Sequence, residues 1–552
     1  MSTIAFVGAG PTTLYTLDAL LRQDVQGVRV TVFEAQEGVG VGTPYRPGWN
    51  DPAMLSNIAS AEIPPLTQTL LAWLQSRSPA ELEAMEVDIA TVSDRSFLPR
   101  LVLGRYFESQ FQALLDKAAK VGVRVDVRAG RRVVDAVNRP DGLELVFTSS
   151  DGQTDSRLFD HVVLATGHQW PSRQEARPGY YTSPWPAHAL AEAPPTDIGV
   201  RGSSLTAIDT AVALATAHGD FVRDEERLTY KAGSEAPDFH ITLMSRKGLL
   251  PEADFYFPLP PAPLAVCNAA ALAELVARRS PDLLDAAFDL FRRELLRIDP
   301  AYAELTGLAE ATLEEFGEAY FQARAESDPF AWAEVNLAEA RANHATRTTV
   351  PWRDAIVRMH EPMATIVPHL NEADFERFNR SFKPVFVDAY GAVPHESVER
   401  MLALRRAGRL SLIALGDDYR IDTHCAEGGA RLVRAGSSRH FPVFIEATGQ
   451  RPLSALQFPF LSLIEQGIVR DETSGSRGGA ARGIVVDDLF RPVAAALPPD
   501  RLFCLSLPFI LGRHPFAQGV TSSRDMGEIV GGHLGCVLAA QGRAVDTWPD
   551  VA

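Results

Sequence analysis

Cysteine is scarce in this chain. Four residues, Cys267, Cys425, Cys504 and Cys536, stand among 552, and none falls in a C-x-x-C pair. That excludes a redox dithiol and a disulfide framework and points to a reducing compartment. The four read as unrelated structural thiols. The thirteen histidines show neither H-x-x-x-H nor H-E-x-x-H spacing, so no metal site is expected. Positive charge is outweighed: 53 Lys and Arg against 70 Asp and Glu leave a formal net charge of −17. Such a surface repels nucleic acid and anionic membranes, and neither is expected as a partner. Long hydrophobic runs are missing too; none reaches the roughly 18 residues that span a bilayer. There is no basic segment followed by a cleavable apolar one. The chain opens on a buried-type strand, Ile4 to Val7, and a cytoplasmic location is expected.

What is present is a pair of glycine turns in a chain long enough for two or three domains. The first is Ile4-Ala5-Phe6-Val7-Gly8-Ala9-Gly10-Pro11-Thr12-Thr13; the second is Ile198-Gly199-Val200-Arg201-Gly202-Ser203-Ser204-Leu205. Each joins a short apolar strand to a helix. Backbone N–H groups at such a junction can approach a pyrophosphate, and the helix N-terminus favours its negative charge. Two turns imply two dinucleotides, the arrangement of a flavin enzyme reduced by a nicotinamide. After the first turn, Thr12 to Gln23 reads as a helix and Val28 to Glu34 as an alternating strand. Glu34, at the strand end, suits the hydroxyls of an adenosine ribose. The third glycine of G-x-G-x-x-G is replaced by Thr13, which should loosen helix–strand packing slightly.

The run Gly38-Val39-Gly40-Val41-Gly42-Thr43-Pro44-Tyr45 is a loop whose backbone can lie close to a ligand. Residues 122–164 read as strands, the last ending Ala165-Thr166-Gly167-His168. A second Ala-Thr-Gly, Ala447 to Gly449, follows the strand Phe444 to Glu446, and the two are read as the crossovers between flavin and nicotinamide domains. The second turn opens a helix, Ala207 to Ala217. Gly219 to Asp238 is read as an inserted loop or hairpin before the strand His240 to Ser245. The basic pair Arg246 and Lys247 at that strand's end suits the 2′-phosphate of NADPH, with NADH as the alternative. Residues 268–410 have helical spacing, and the aromatics Phe375, Phe378, Phe382 and Phe386 there read as core. In the tail, Gly483 to Asp487 and Leu502 to Leu505 read as strands, and Ser474 to Arg482 as a flexible surface loop. Gly519-Val520-Thr521 opens a last helix whose N-terminus would face a flavin ring.

Taken together, Gly8-Ala9-Gly10-Pro11-Thr12, Gly42-Thr43-Pro44-Tyr45, Leu55-Ser56-Asn57, Pro99-Arg100 with Gly104-Arg105-Tyr106, Ala165-Thr166-Gly167, Gly202-x-Ser204-x-x-Ala207-Ile208-Asp209, Ser245-Arg246-x-Gly248 and Gly519-Val520-Thr521 resemble the bacterial FAD/NAD(P)-binding protein family. The set is broadly similar to flavin-dependent N-hydroxylating monooxygenases of the ornithine and lysine type. The resemblance spans the chain and is weakest over the helical middle. The nicotinamide turn, Gly-Ser-Ser-Leu instead of Gly-x-Gly-Gln-Ser, departs from the N-hydroxylase pattern and argues against an amino-acid amine as substrate. The implied fold is α/β, with two Rossmann-like dinucleotide-binding domains and a largely helical insertion. The expected division is 1–195 (FAD, first part), 196–262 (NAD(P), first part), 263–404 (helical insertion), 405–446 (return strands of the NAD(P) domain) and 447–552 (FAD, second part).

The expected cofactors are FAD and NADPH. Gly8, Gly10, Pro11, Thr12, Thr13 and Glu34 would hold FAD, with Gly42, Thr43, Asn57, Arg105, Ala165, Thr166, Gly167, Gly519 and Thr521 around it. Gly202, Ser203, Ser204, Arg246 and Lys247 would hold NADPH. The expected activity is an FAD-dependent oxidoreductase that oxygenates a small molecule with O2 through a flavin C4a-(hydro)peroxide. Two alternatives stand beside it: a flavin dehydrogenase passing electrons to another acceptor, and a non-catalytic FAD/NAD(P)-binding sensor or scaffold. The helical insertion would cover the active site or build a homo-oligomer interface. No catalytic acid or base is assigned.

Overall fold

The computed structural model describes residues 2–170, 174–224, 227–434, 436–472, 482–517 and 519–546. The chain divides into two units. The first comprises Met1–Pro47, Ile58–Gln169 and Gln450–Ala552; the second comprises Gly48–Asn57 and Trp170–Gly449. The segment 170–195 and the short excursion Gly48–Asn57 therefore belong to the second unit.

The first unit begins with β1 (Ser2–Val7), α1 (Pro11–Leu21) and β2 (Val28–Phe33), then α2 (Leu70–Gln75), α3 (Pro79–Ala84) and the long α4 (Arg100–Lys120). β3 (Arg124–Arg128), β4 (Arg131–Arg139), β5 (Gly142–Ser149), β6 (Thr154–Phe159) and β7 (His161–Leu164) follow. The second unit starts with β8 (Glu175–Arg177), β9 (Tyr180–Tyr181), β10 (Asp197–Arg201) and α5 (Leu205–His218). The hairpin β11 (Gly219–Asp224) and β12 (Arg227–Ala232) precedes β13 (His240–Ser245). Next come the helices α6 (Ala269–Ala277), α7 (Leu283–Ile298), α8 (Pro300–Leu305), α9 (Leu313–Ala325), α10 (Pro329–Thr346), α11 (Pro351–Ala364), α12 (Glu372–Arg377), α13 (Lys383–Tyr390) and α14 (His395–Arg406). The unit closes with β14 (Leu410–Ala414), β15 (Tyr419–Asp422), β16 (Ala430–Arg434), β17 (Ser437–Phe441) and β18 (Val443–Glu446). The chain returns to the first unit with α15 (Leu461–Glu465), β19 (Leu502–Cys504) and α16 (Val520–Asp546).

Each unit is built on a parallel sheet. In the first the order is β19-β7-β1-β2-β3, with Ile4 in register between Val30 and His161. In the second it is β14-β13-β10-β18-β9-β8, parallel except for the edge pair β8–β9. Parallel strands must be covered on both faces, so they read as continuous apolar runs. Ile4, Ala5, Phe6, Val162, Val163 and Leu164 are fully buried in the first sheet, as are Ile198, Val200, Ile241 and Leu243 in the second. Each unit also carries a three-stranded antiparallel meander, β4-β5-β6 in the first and β15-β16-β17 in the second. The α/β class with two Rossmann-like sheets and a helical region stands as expected from the sequence.

The helices between β13 and β14 have their own aromatic core. Phe291 meets Phe382 and Phe316 edge-on, at 5.0 and 5.4 Å between ring centroids. Phe378, Phe382 and Phe386 are fully buried. The inserted segment before β13 is a hairpin. Gly483 to Asp487, expected as a strand, makes among the described residues the isolated bridges Asp471↔Ile484 and Val486↔Pro492 and no ladder. Residues 474–481 of the expected surface loop lie outside the described residues. All four cysteines are free. Among the described residues no helix is long and apolar enough to cross a membrane.

Candidate dinucleotide sites

In the first unit the turn after β1 is set by Gly8, at φ +103°. A β-carbon there would meet the Ala165 carbonyl oxygen at 2.3 Å. The Gly8 N–H donates to Phe33 O at 2.8 Å, and the Ala165 N–H donates to Val7 O at 2.9 Å. The turn is thus pinned between the ends of β2 and β7. Gly10 caps α1 with Pro11 in its first turn, where the missing proline N–H costs nothing. A β-carbon on Gly10 would lie 3.2 Å from Gly42 Cα, and one on Gly42 would lie 2.7 Å from the Pro11 ring. The glycine loop therefore runs directly against the turn, tied to it by the Gly40 N–H donating to Ala9 O at 2.9 Å. Gly104 of α4 makes room for Tyr45 O, 2.4 Å from where its β-carbon would be.

Thr13 is fully buried, and its hydroxyl donates to Gly8 O at 2.6 Å. The residue in place of the third glycine ties helix to strand instead of loosening the junction. The close helix packing comes from α16. β-Carbons on Gly527 and Gly531 would fall 2.8 and 2.3 Å from Thr16 backbone atoms of α1, and one on Gly535 would fall 2.2 Å from the side chain of Gln23 just beyond it. The N-termini of α1 and α16 meet: Thr12 Oγ1 donates to Ser523 Oγ at 3.1 Å, which donates to Gly519 O at 3.0 Å. Gly519 has φ +94° and Thr521 is half-buried in the first turn of α16. Two helix N-termini thus converge beside one glycine turn, and both favour an anion there.

Glu34 is buried at the end of β2. Its carboxylate accepts the Ala9 N–H at 3.1 Å and the Gln36 N–H at 3.0 Å, and pairs with Arg46 at 3.3 Å. Thr166 Oγ1 lies 2.8 Å from Ser506 Oγ, linking the Ala-Thr-Gly segment to the chain after β19. His168 is half-buried and bonded to the Gln450 side chain. Burial first, and Arg100 second, hold its ring down to about 4, so it is neutral at neutral pH. Gln450 also accepts the Gln169 N–H at 3.0 Å. One side chain thus joins the two places where the chain leaves and re-enters this unit. Thr43 is half-buried at the start of a 3-10 turn, and Arg105 is on the exposed side of α4. Asn57 is exposed and falls in the second unit.

The second unit repeats the construction. Gly202 has φ +140°, and a β-carbon on it would meet Ala447 O at 2.3 Å. Its N–H donates to Met244 O at 2.8 Å, and the Ala447 N–H donates to Arg201 O at 2.8 Å. Ser204 caps α5 and is exposed. Ser203 is redirected: its buried hydroxyl lies 2.6 Å from Leu249 O and 2.8 Å from Ser245 Oγ, which accepts the Gly248 N–H at 3.2 Å. A carbonyl can only accept, so the single Ser203 proton goes to Leu249. Arg246 is exposed at the strand end. Lys247 turns the other way, with its ammonium 3.5 Å from the centre of the Phe321 ring.

Sequence reasoning missed a half-buried pair beside this turn. Arg201 meets both Glu446 oxygens at 3.2 and 3.3 Å and donates to the Tyr419 hydroxyl at 3.0 Å. The signal lay in the two strand-end residues that precede Gly202 and Ala447. Among the described residues Cys425, Glu427 and His440 bring ligand-type atoms within 4.8 Å of one another. Each has a partner within the protein: Asp422 O for Cys425, Arg431 for Glu427 and Gly428 O for His440.

The residues fit a pyrophosphate at each turn. The Glu34 carboxylate takes the Ala9 N–H of the first turn, but the N–H groups of Gly10 and Thr12 there, and of Ser204 and Leu205 in the second turn, meet no acceptor among the described residues.

Comparison with known proteins agrees with this geometry. Residues 5–169 match the family described as FAD-NAD(P)-binding, and residues 268–390 match the YdhS-like middle domain. The chain is similar in structure to the reduced form of ornithine hydroxylase from Pseudomonas aeruginosa, with 14% identity, a TM-score of 0.49 and 98% and 100% of the two chains covered. It is also similar to a bacillithiol disulfide reductase from Bacillus cereus, with 11% identity, a TM-score of 0.44 and 97% and 99% covered. Against "Uncharacterized protein YdhS" of Escherichia coli (strain K12) it is 39% identical over 532 residues, 96% of each chain. The chain belongs to the YdhS family of FAD-NAD(P)-binding flavoproteins.

Proposed function

We propose that this protein is an FAD-dependent oxidoreductase reduced by NADPH, and that it oxygenates a small molecule with O2. The observation that carries the reading is the repeated turn. In both units a glycine at positive φ ends the central strand, so close to an Ala-Thr-Gly segment that a β-carbon on it would fall 2.3 Å from the alanine carbonyl oxygen. In the first unit the amides of Gly10 and Thr12 bind the FAD pyrophosphate, between the N-termini of α1 and α16. Glu34, already held by two backbone N–H groups, presents its carboxylate to the adenosine ribose. In the second unit the amides of Ser204 and Leu205 hold the NADPH pyrophosphate, and Arg246 pairs with the 2′-phosphate. When bound, the nicotinamide supplies a hydride and the flavin accepts it.

With no C-x-x-C pair and four free cysteines, no protein dithiol stands ready to take electrons from the flavin. An external acceptor is required. The motif likeness to N-hydroxylating monooxygenases favours O2.

The test is the absorption spectrum of the purified protein before and after anaerobic NADPH. Yellow protein bleached by NADPH, and more slowly by NADH, is the expected result. A colourless protein, or a flavin that neither nucleotide bleaches, overturns the reading. NADPH oxidation that stops when O2 is removed supports the oxygenase. Oxidation sustained without O2 by an added quinone supports a reductase instead.

A further inference from the structure

The loop after β13, residues 246–253, is held from two sides within the second unit. On one side is the glycine turn, through Ser203. Its hydroxyl reaches Leu249 O at 2.6 Å and Ser245 Oγ at 2.8 Å, and Gly248, at φ +65°, is pressed so closely on Ala414 that a β-carbon would fall 2.7 Å away. On the other side are the helices between β13 and β14. Lys247 lies on the Phe321 ring of α9 at 3.5 Å, a cation–π contact on a half-buried ammonium. Arg324, also of α9 and buried, donates to Leu250 O at 2.7 Å and meets Asp388 of α13. Glu252 is buried against Arg353 of α11 at 3.0 Å, and the Ala253 N–H donates to Asn336 Oδ1 of α10 at 2.7 Å.

Lys247, Leu250, Glu252 and Ala253 are thus each held by a residue of the helices, while Arg246, just before them, is exposed. Arg246 and Lys247 form the bend that follows β13: Lys247 is half-buried against α9 and Arg246 is exposed. Charge works in the same direction. Lys247 and Arg324 are near one another with Asp388 and Glu318 as the opposing acids, and Arg246 repels the ammonium.

We propose that the helical segment is the positioning element of this loop, with Phe321 and Arg324 holding Lys247 and Leu250 so that Arg246 meets a 2′-phosphate, which makes the segment the determinant of preference for phosphorylated nicotinamide dinucleotides. The inference rests on the nicotinamide reading of the second turn. It differs from a lid or an interaction surface in that the segment acts through one loop. Phe321, Arg324 and Lys247 are positioning residues, and only Arg246 touches the ligand.

The test uses the full-length protein and two probes, 2′,5′-ADP and 5′-AMP, with affinities measured by calorimetry. Phe321→Leu and Lys247→Met should each weaken 2′,5′-ADP about tenfold, the loss of roughly one charge-assisted contact. 5′-AMP should change less than about twofold, and the flavin-to-protein ratio should not change. Phe321→Tyr, which keeps the ring, should restore 2′,5′-ADP binding. Equal weakening of both probes means a merely structural role and overturns the inference. Unchanged or tighter 2′,5′-ADP binding in Phe321→Leu does so too, because a freed Lys247 would then be a direct ligand. If the wild-type protein binds neither probe, the reading of the second turn itself falls, a result separate from both.

Discussion

The two glycine turns share a backbone and differ in everything that hangs on it. In each, a β-carbon on the positive-φ glycine would fall the same 2.3 Å from an Ala-Thr-Gly carbonyl oxygen, and the glycine N–H donates to the end of the neighbouring strand at the same 2.8 Å. Beyond that the turns diverge. The first presents a buried carboxylate, Glu34, at the end of its second strand and is overlaid by the Gly38–Gly42 loop. The second presents Ser245 and Arg246 and is overlaid by nothing comparable among the described residues; a hydroxyl, Ser203, ties it to the loop behind. The lesson is a division of labour. On the proposed reading, main-chain geometry would serve the pyrophosphate that every dinucleotide has, and the end of the next strand would choose between a ribose diol and a phosphate.

The largest effect is expected from breaking one turn and sparing the other. A β-carbon at Gly8 collides with backbone at 2.3 Å and sits at φ +103°. Gly8→Val should cost more than about 4 kcal/mol locally and yield protein without flavin. Gly202→Val should leave the yellow colour intact and abolish binding of NADP+. Absorbance at the flavin maximum and nucleotide titration, done on both variants, check the pair. Loss of flavin in Gly202→Val, with the second unit still resistant to limited proteolysis, would break the assignment of one cofactor to each turn.

Glu34 comes next. It accepts two main-chain N–H groups and pairs with Arg46. Hydrogen bonds to a charged group contribute roughly 1.5–3 kcal/mol each. Glu34→Gln should therefore weaken FAD about 10- to 100-fold, read by flavin release on dilution. NADP+ affinity should stay unchanged.

The turns, the place of Glu34 at a strand end and the strand-end positions of both Ala-Thr-Gly segments were legible because each is a local pattern in one short window. The helical character of 268–410 was legible from its spacing. What escaped depends on partners far along the chain. Ser203 reads as a nucleotide contact until β13 brings Leu249 to its hydroxyl. Lys247 reads as a phosphate ligand until α9 brings Phe321 beneath it. Gly48–Asn57 lies inside the first half of the sequence, but Met54 is buried in the second unit's core. Gly483 to Asp487 alternates like a strand and finds no full partner strand among the described residues. Tertiary contacts decide such segments, and period alone does not.

The helices that follow the two turns differ as well. α1 is covered by a glycine stripe on α16, whereas α5 packs on the short turn Ala187–Glu192. A β-carbon on Gly531 would fall 2.3 Å from Thr16 O, and one on the adjacent Gly532 would meet nothing within 4 Å. Gly531→Ala should destabilise the first unit by about 1–3 kcal/mol. Gly532→Ala should be neutral or stabilise it by up to about 1 kcal/mol, through helix propensity. Hydrogen exchange resolved by unit measures both. Equal effects of the two substitutions would show that α16 does not approach α1 as closely as described.

The smallest effect lies in the second unit and concerns pH. Burial first, and Arg246 second, push the Lys247 amine down from 10.5 to about 8. Between those values the unfolded chain keeps a proton that the folded unit has released. Stability of the second unit should therefore rise as pH climbs from about 8 towards 10.5. Lys247→Met has no proton to release, so the difference in stability between wild type and variant should shift towards the wild type across that window and stay flat below it. The amine is only half-buried, and solvent screening keeps the shift small. The first unit lacks this lysine and serves as the internal reference, because its exchange rates, corrected for the intrinsic pH dependence, should respond identically in both proteins. A difference that grows on acidification instead would mean that Lys247 is held as a stabilised cation, with Asp388 outweighing burial, and the loop after β13 would then be anchored by an ion pair and not by the Phe321 ring.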